Sequence, residues 1–107
     1  MDLRKKTEMI VVHCAATKPS MDIGASEIKK WHVDDNGWDD IGYHYIIKRG
    51  GLVEVGRPEA FQGAHAPAAN SKSIGICLVG GMSEDGDDEN NFTIEQFLSL
   101  KDLLKRL

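Results

Sequence analysis

The strongest constraint on the fold lies at the end of the chain. Thr93 stands at a helix N-cap, Gln96 three residues on completes a capping box, and Phe92 and Phe97 flank it as a hydrophobic staple. Phe97, Leu100, Leu103, Leu104 and Leu107 then recur on one helical face. Such a helix is held mainly by what its stripe packs on, so the rest of the chain must offer an apolar surface. Met9–Cys14 and Ser73–Val79 are short, continuous and rich in β-branched residues, and both read as buried strands. Tyr43–Lys48 and Leu52–Val55 read as a strand pair. Arg49-Gly50-Gly51 between them is a hairpin signal, because glycine reaches positive φ at little cost. Gly24–Asn36 reads as a second helix, with Ile28, Trp31 and His32 on one face and Gly37 as its stop. Helices that must cover strands make this an α/β chain.

A chain of 107 residues suggests one domain and can bury a core without disulfides or structural metal. The net charge of −4 does not support a globally basic surface for nucleic acid. Cys14 and Cys77 set no disulfide framework, and a reducing compartment is the simpler reading. The apolar run near the N-terminus spans only Met9–Val12, too short for a signal peptide, and no segment has the length of a membrane span. Synthesis in the cytoplasm without membrane insertion is expected. Residues 1–8 are polar and read as a flexible arm, 56–72 as a long loop, and 82–90, with five acids, as a solvated loop.

Candidate chemistry centres on histidine. His13 and Cys14 alternate along a strand, so they face opposite sides of a sheet and do not ligate one metal together. Cys14 is expected to pack as a small apolar residue. His13, at a strand end, is placed either for a site or for a structural hydrogen bond. Tyr43 and Tyr45 are expected on one strand face, with His44 and Ile46 on the other. Tyr43 is then a cleft hydroxyl or a core aromatic, and His44 a structural residue. His65 lies in GAHAPAAN, where small neighbours leave room for a ligand; a solvent-exposed loop histidine is the alternative. Trp31 and Trp38 read as core or cleft-wall residues. HExxH, CxxC, GxSxG, P-loop and GxGxxG patterns are all absent.

VVHCAATKPS, EIKKWH, GWDDIGYHYIIKRGG, GRPEAFQGAHA, NSKSIGICLVGG and NFTIEQ occur in this order. In that arrangement the chain resembles the zinc-dependent N-acetylmuramoyl-L-alanine amidases of the type-2 amidase and peptidoglycan-recognition-protein superfamily, and within it the phage lysozymes of the T7 type. The likeness runs from about Met9 onward. It implies a mixed central β-sheet flanked by helices, with a groove over one face. It also implies a Zn2+ held by two His and one Cys or acid, with an open position for water. The reaction implied is hydrolysis of the amide between N-acetylmuramic acid and L-alanine of the peptidoglycan stem. By resemblance His13 is the first metal ligand and Tyr43 the catalytic tyrosine that orients water or stabilises the oxyanion. His65 and Asn70 fall on the walls of the substrate groove. Cys77 stands where some relatives carry glutamate, which points to the tyrosine-dependent branch.

The remaining two ligands of that pattern would follow the last helix, and His32 and His44 match neither. Because the Leu stripe also runs to Leu107 without a Gly, Asn or Pro stop, a C-terminally truncated domain is expected, with a natural frayed end as the alternative. Such a chain is expected to expose apolar surface around Leu100, Leu103 and Leu104. Three functional readings remain open: part of an endolysin that meets the wall after release from the cell, a muropeptide or cell-wall binding module that does not cut, or a partner that restrains a phage RNA polymerase through the arm LRKKTE.

Overall fold

The computed structural model describes residues 1–107. Its four-stranded sheet has the order β1-β4-β2-β3, with β1 at Met9–Cys14, β2 at Tyr45–Ile47, β3 at Val53–Val55 and β4 at Ser73–Leu78. β4 runs parallel to both β1 and β2, and β3 is antiparallel to β2. All six residues of β4 are buried, as expected for a strand flanked on both edges and covered on both faces. Its pleat separates two clusters. Ile74, Ile76 and Leu78 pack with Ile47 and Leu103, while Cys77 packs with Ile23, Ile28, Ile41, Ile46 and Val79.

Helix α1, Ala25–Lys30, brings Ile28 to the second cluster and continues in a wider π-type winding through Trp31–Asp35. The Glu27 carboxylate accepts from Gly24 N at 2.9 Å, and Glu54 accepts from Ala25 N at 2.8 Å, so acids meet the free amides of the first turn. Gly37 follows with φ +73°, the left-handed stop that glycine permits. Helix α2, Ile94–Arg106, forms the expected reciprocal cap: Gln96 N donates to Thr93 Oγ1 at 3.1 Å, and Thr93 N to Gln96 Oε1 at 3.0 Å. Phe92 and Phe97 meet edge to face at 6.2 Å. Gln96 is also fully buried, and its Nε2 donates to Ile47 O at 3.1 Å and Val79 O at 2.8 Å. The cap residue thus bolts α2 to the ends of two strands. The Arg49-Gly50-Gly51 turn closes with Gly51 N donating to Lys48 O at 2.8 Å and φ +96° at Gly51.

Several expectations are corrected. β2 begins at Tyr45, so period-two alternation does not extend back to Tyr43. Tyr45 packs with the Leu103 cluster and Tyr43 with the Ile28 cluster, on opposite sides rather than together. Residues 1–8 are not free: Arg4 N donates to Ala60 O at 2.7 Å, Lys5 N to Ser71 O at 2.9 Å and Glu8 N to Lys72 O at 2.7 Å. The long loop supplies the carbonyls that a polar arm needs. Cys14 is exposed rather than packed, because β1 is an edge strand beside an open groove of about 560 Å³ lined by Val12, Cys14, Leu78 and Phe92 among others. Leu103, expected to be uncovered, is 2% exposed against the sheet, whereas Phe97 and Leu104 of the same stripe are 47% and 39% exposed. No helix is long and apolar enough to cross a membrane.

Candidate active-site groove

β1 carries His13 opposite Cys77 of β4, which puts its imidazole on the α1 side of the sheet. Two residues remote in sequence meet it there. His13 Nε2 lies 2.9 Å from His65 Nδ1. The Tyr43 ring centroid is 5.4 Å from that of His13. The three candidates His13, Tyr43 and His65 therefore converge, although 52 residues separate the two histidines.

His65 is held from several directions. Asn70 Oδ1 accepts from His65 N at 3.2 Å and from Ala66 N at 2.9 Å, tying the end of the loop back to its middle. A Cβ at Gly75 would lie 2.6 Å from His65 Cγ and Cδ2, and one at Gly63 would lie 2.5 Å from Cδ2. The ring thus occupies the space that side chains at both positions would need. Its Nε2 lies 3.3 Å from Ser73 Oγ. Burial, with His13 and His44 beside it, lowers the His65 pKa to about 4, so it is neutral at pH 7. The sequence reading missed Ser73, Gly63 and Gly75. A lone glycine inside an otherwise apolar strand, as in SIGICL, is the available signal for such a close approach.

The other histidines have structural duties. His44 is fully buried; its Nδ1 accepts from Gly75 N at 3.0 Å and its Nε2 donates to Phe61 O at 2.8 Å. His32 Nδ1 accepts from Gly42 N at 2.9 Å, and its ring stands 4.6 Å from Trp38. Trp38, Ala64, His65, Pro67 and Asn70 line a cleft of about 290 Å³, so Asn70 both braces the loop and borders open space. Tyr43 and Cys77 stand side by side in the Ile28 cluster, and the Cys77 thiol points to Leu78 O at 3.9 Å. Burial pushes the Tyr43 pKa well above its ordinary value and the thiol up to about 12, so both stay protonated near neutrality.

A catalytic zinc site needs three protein donors. His13 offers one, but no three His, Cys, Asp or Glu side chains come together, and both His65 nitrogens are engaged. The donors in these 107 residues therefore do not fit the ion.

Residues 3–107 match the family model described as N-acetylmuramoyl-L-alanine amidase. The chain belongs to this amidase family. It is 52% identical over 104 residues to the endolysin of Escherichia phage T7, covering 97% of this chain and 68% of that protein. It is 38% identical over 89 residues to peptidoglycan-recognition protein SC2 of Drosophila melanogaster, covering 83% of this chain and 46% of the relative. Among solved structures, the amidase LysC of Clostridium intestinale superposes with a TM-score of 0.77 at 32% identity, over 94% of this chain and 61% of that one. Drosophila PGRP-LB superposes with a TM-score of 0.81 at 24% identity, over 99% of this chain and 63% of that one, a likeness of fold. The mixed sheet expected from the motifs is thus the family's sheet, and the amidase chain spans about two thirds of its phage relatives' length.

Proposed function

We propose that this groove binds the muramoyl–L-alanine junction of peptidoglycan and serves its hydrolysis as part of an endolysin-type amidase. The observation that carries the reading is the convergence of His13, Tyr43 and His65 beside the cleft bordered by Trp38 and Asn70. Trp38 gives a flat apolar wall for a sugar ring or a lactyl group. The free amide nitrogen of Asn70 is suited to polar groups of the glycan and stem peptide, and the edge of the His65 ring adds to the cleft wall. Tyr43 keeps its proton, so its hydroxyl would act as a donor to a developing oxyanion rather than as a base. In the family pattern His13 is the first of three zinc ligands. The other two donors are not among these residues, so the work assigned here to the chain's own side chains is binding and orientation.

Titration of the 15N-labelled chain with a muramyl peptide tests the groove. Perturbed amides at Trp38, His65 and Asn70 are expected; saturating peptide without shifts there would remove the proposal. Incubation with zinc and purified wall tests the donor count. No release of L-alanine peptides is expected, and stoichiometric zinc with steady release would overturn it.

A second reading, a muropeptide-binding module that does not cut, is favoured by the absence of a three-donor cluster and keeps the same groove. The polymerase-restraining role has only the resemblance behind it. Inhibition of a phage RNA polymerase that survives His13→Ala is the result it requires.

A further inference from the structure

The hydrogen bonds around His65 form a directed chain that ends at His13. Ser73 is fully buried, and its Oγ lies 2.7 Å from Ala69 O. A carbonyl cannot donate, so the single Ser73 hydroxyl proton lies on that bond. Ser73 Oγ is then left as an acceptor, and the group facing it at 3.3 Å is His65 Nε2, which must carry a proton. A neutral imidazole has one N–H, so His65 Nδ1 is bare and accepts. Its partner at 2.9 Å is His13 Nε2, which in turn must be the donor. A neutral His13, the form an imidazole of ordinary pKa takes at about pH 7.5, has its one N–H on Nε2, and this leaves His13 Nδ1 bare. That nitrogen has no hydrogen-bond partner in the chain, and no buried polar atom lacks one, so it is accessible to solvent, and His13 itself lines the groove of about 560 Å³ beside β1.

We propose that Ser73 and His65 are positioning residues that hold His13 in its Nε2–H tautomer and present Nδ1 as its only lone pair. The inference rests on the reading of His13 as a working residue of the groove, and it names the atom that works. Ser73 never touches a ligand; its hydroxyl proton, fixed by Ala69 O, sets the direction of two further hydrogen bonds. The glycine pair 63 and 75 belongs to the same device, because His65 keeps its orientation only while its ring fills their space. Orientation of a first-contact histidine by a partner on its other ring nitrogen is a general way to fix a tautomer. Here the partner is a second histidine, itself fixed by a serine.

Imidazole 15N spectra of the intact chain near pH 7.5 test this without metal, substrate or turnover. His13 and His65 are each expected to show one protonated Nε2 and one bare Nδ1, with a scalar coupling across the hydrogen bond from His13 Nε2 to His65 Nδ1. Ser73→Ala removes the acceptor at the base of the chain. Its His65 and His13 nitrogens are expected to move toward tautomer-averaged positions, and the coupling to fall or vanish, while backbone amide spectra away from residues 63–75 stay unchanged. His65→Ala should average the His13 nitrogens in the same way. A protonated Nδ1 on His13 in the parent chain, absence of the coupling there, or identical His13 nitrogens in all three proteins would each overturn the proposal. None of these outcomes depends on muramyl-peptide binding, so a chain that fails the titration above can still pass this test, and the reverse.

Discussion

The two faces of β4 use one strand for opposite ends. On one face Ile74, Ile76 and Leu78 meet Ile47 and Leu103, an aliphatic surface with Tyr45 and Phe92 at its margin. On the other, Ser73, Gly75 and Cys77 adjoin His65, His44 and Tyr43, and the Ser73 hydroxyl and both nitrogens of His65 and His44 have assigned partners. Alternate residues of one short segment thus divide between holding α2 and shaping the groove. The aliphatic face tolerates change in volume poorly; the polar face tolerates change in shape and hydrogen bonding poorly. Substitutions that separate stability from groove geometry put that division at risk. The largest effect is expected from Leu103→Ala, which removes the only fully packed residue of the α2 stripe and costs roughly 3 kcal/mol. Urea unfolding measures it. A loss below about 1 kcal/mol would mean that α2 is not anchored through this face.

Gln96→Ala comes next. It leaves Ile47 O and Val79 O without the donors now 3.1 and 2.8 Å away and breaks half of the capping box. Ile47 O keeps its bond from Val79 N at 3.0 Å, so about 2 kcal/mol is expected from the stranded Val79 carbonyl and the lost cap. Gln96→Glu is expected to be no better, since a carboxylate cannot donate to either carbonyl. Recovery of stability by Glu would show that the cap alone matters. On the other face, Gly75→Ala adds one methyl group where His65 carbon atoms stand 2.6 Å off. Overpacking of this kind costs on the order of 1–2 kcal/mol. The sharper expectation is that His65 is displaced and the His13 Nε2–H signal changes. An alanine variant with unchanged imidazole spectra would show that the ring has room to spare.

What was legible in the sequence follows the same division. Thr93, Gln96 and the Phe92–Phe97 staple are local signals, and the structure forms all of them. Continuous apolar runs marked β1 and β4 to within a residue. Tyr43 was misplaced because alternation was extended past the first paired residue, and Cys14 because sequence does not say which strand is an edge. The groove was legible only as a resemblance. Spacing cannot bring His13 and His65 together across 52 residues, and nothing local in NSKSIG announces that Ser73 directs a histidine. The polar arm was misread for a related reason. Its backbone partners lie in a loop more than 50 residues away, and composition records no partner.

Acid should unsettle the polar face first. His65 has a folded pKa of about 4, below its ordinary value of 6.5, and those of His13, His32 and His44 are lowered too, chiefly by burial. Between those values the unfolded chain binds more protons than the folded one, so stability falls as pH falls. The contribution is complete above about pH 7 and is lost progressively from there toward pH 4. Melting temperatures at pH 7.5, 6 and 5 should decline in that order, and the imidazole signals should broaden before the Leu103 region responds. A melting temperature constant across that range would mean these rings are not buried as neutral groups.

The smallest expected change in stability is also the most pointed. Tyr43→Phe deletes one hydroxyl of a partly buried ring in the Ile28 cluster, beside a Cys77 thiol that keeps its own contact to Leu78 O at 3.9 Å. No strong buried donor or acceptor is stranded, so the cost should stay under about 1 kcal/mol. The ring keeps its place beside His13 and in the Ile28 cluster, and muramyl-peptide binding should change less than about threefold. If the hydroxyl stabilises an oxyanion, then a family member that does cleave wall should lose on the order of 100-fold in kcat from the matching change, with KM little altered. Equal losses of stability and activity would instead make Tyr43 a packing residue. The division between the two faces would then run differently at the end of β2, with Tyr43 serving the core and His13 and His65 left as the groove's working pair.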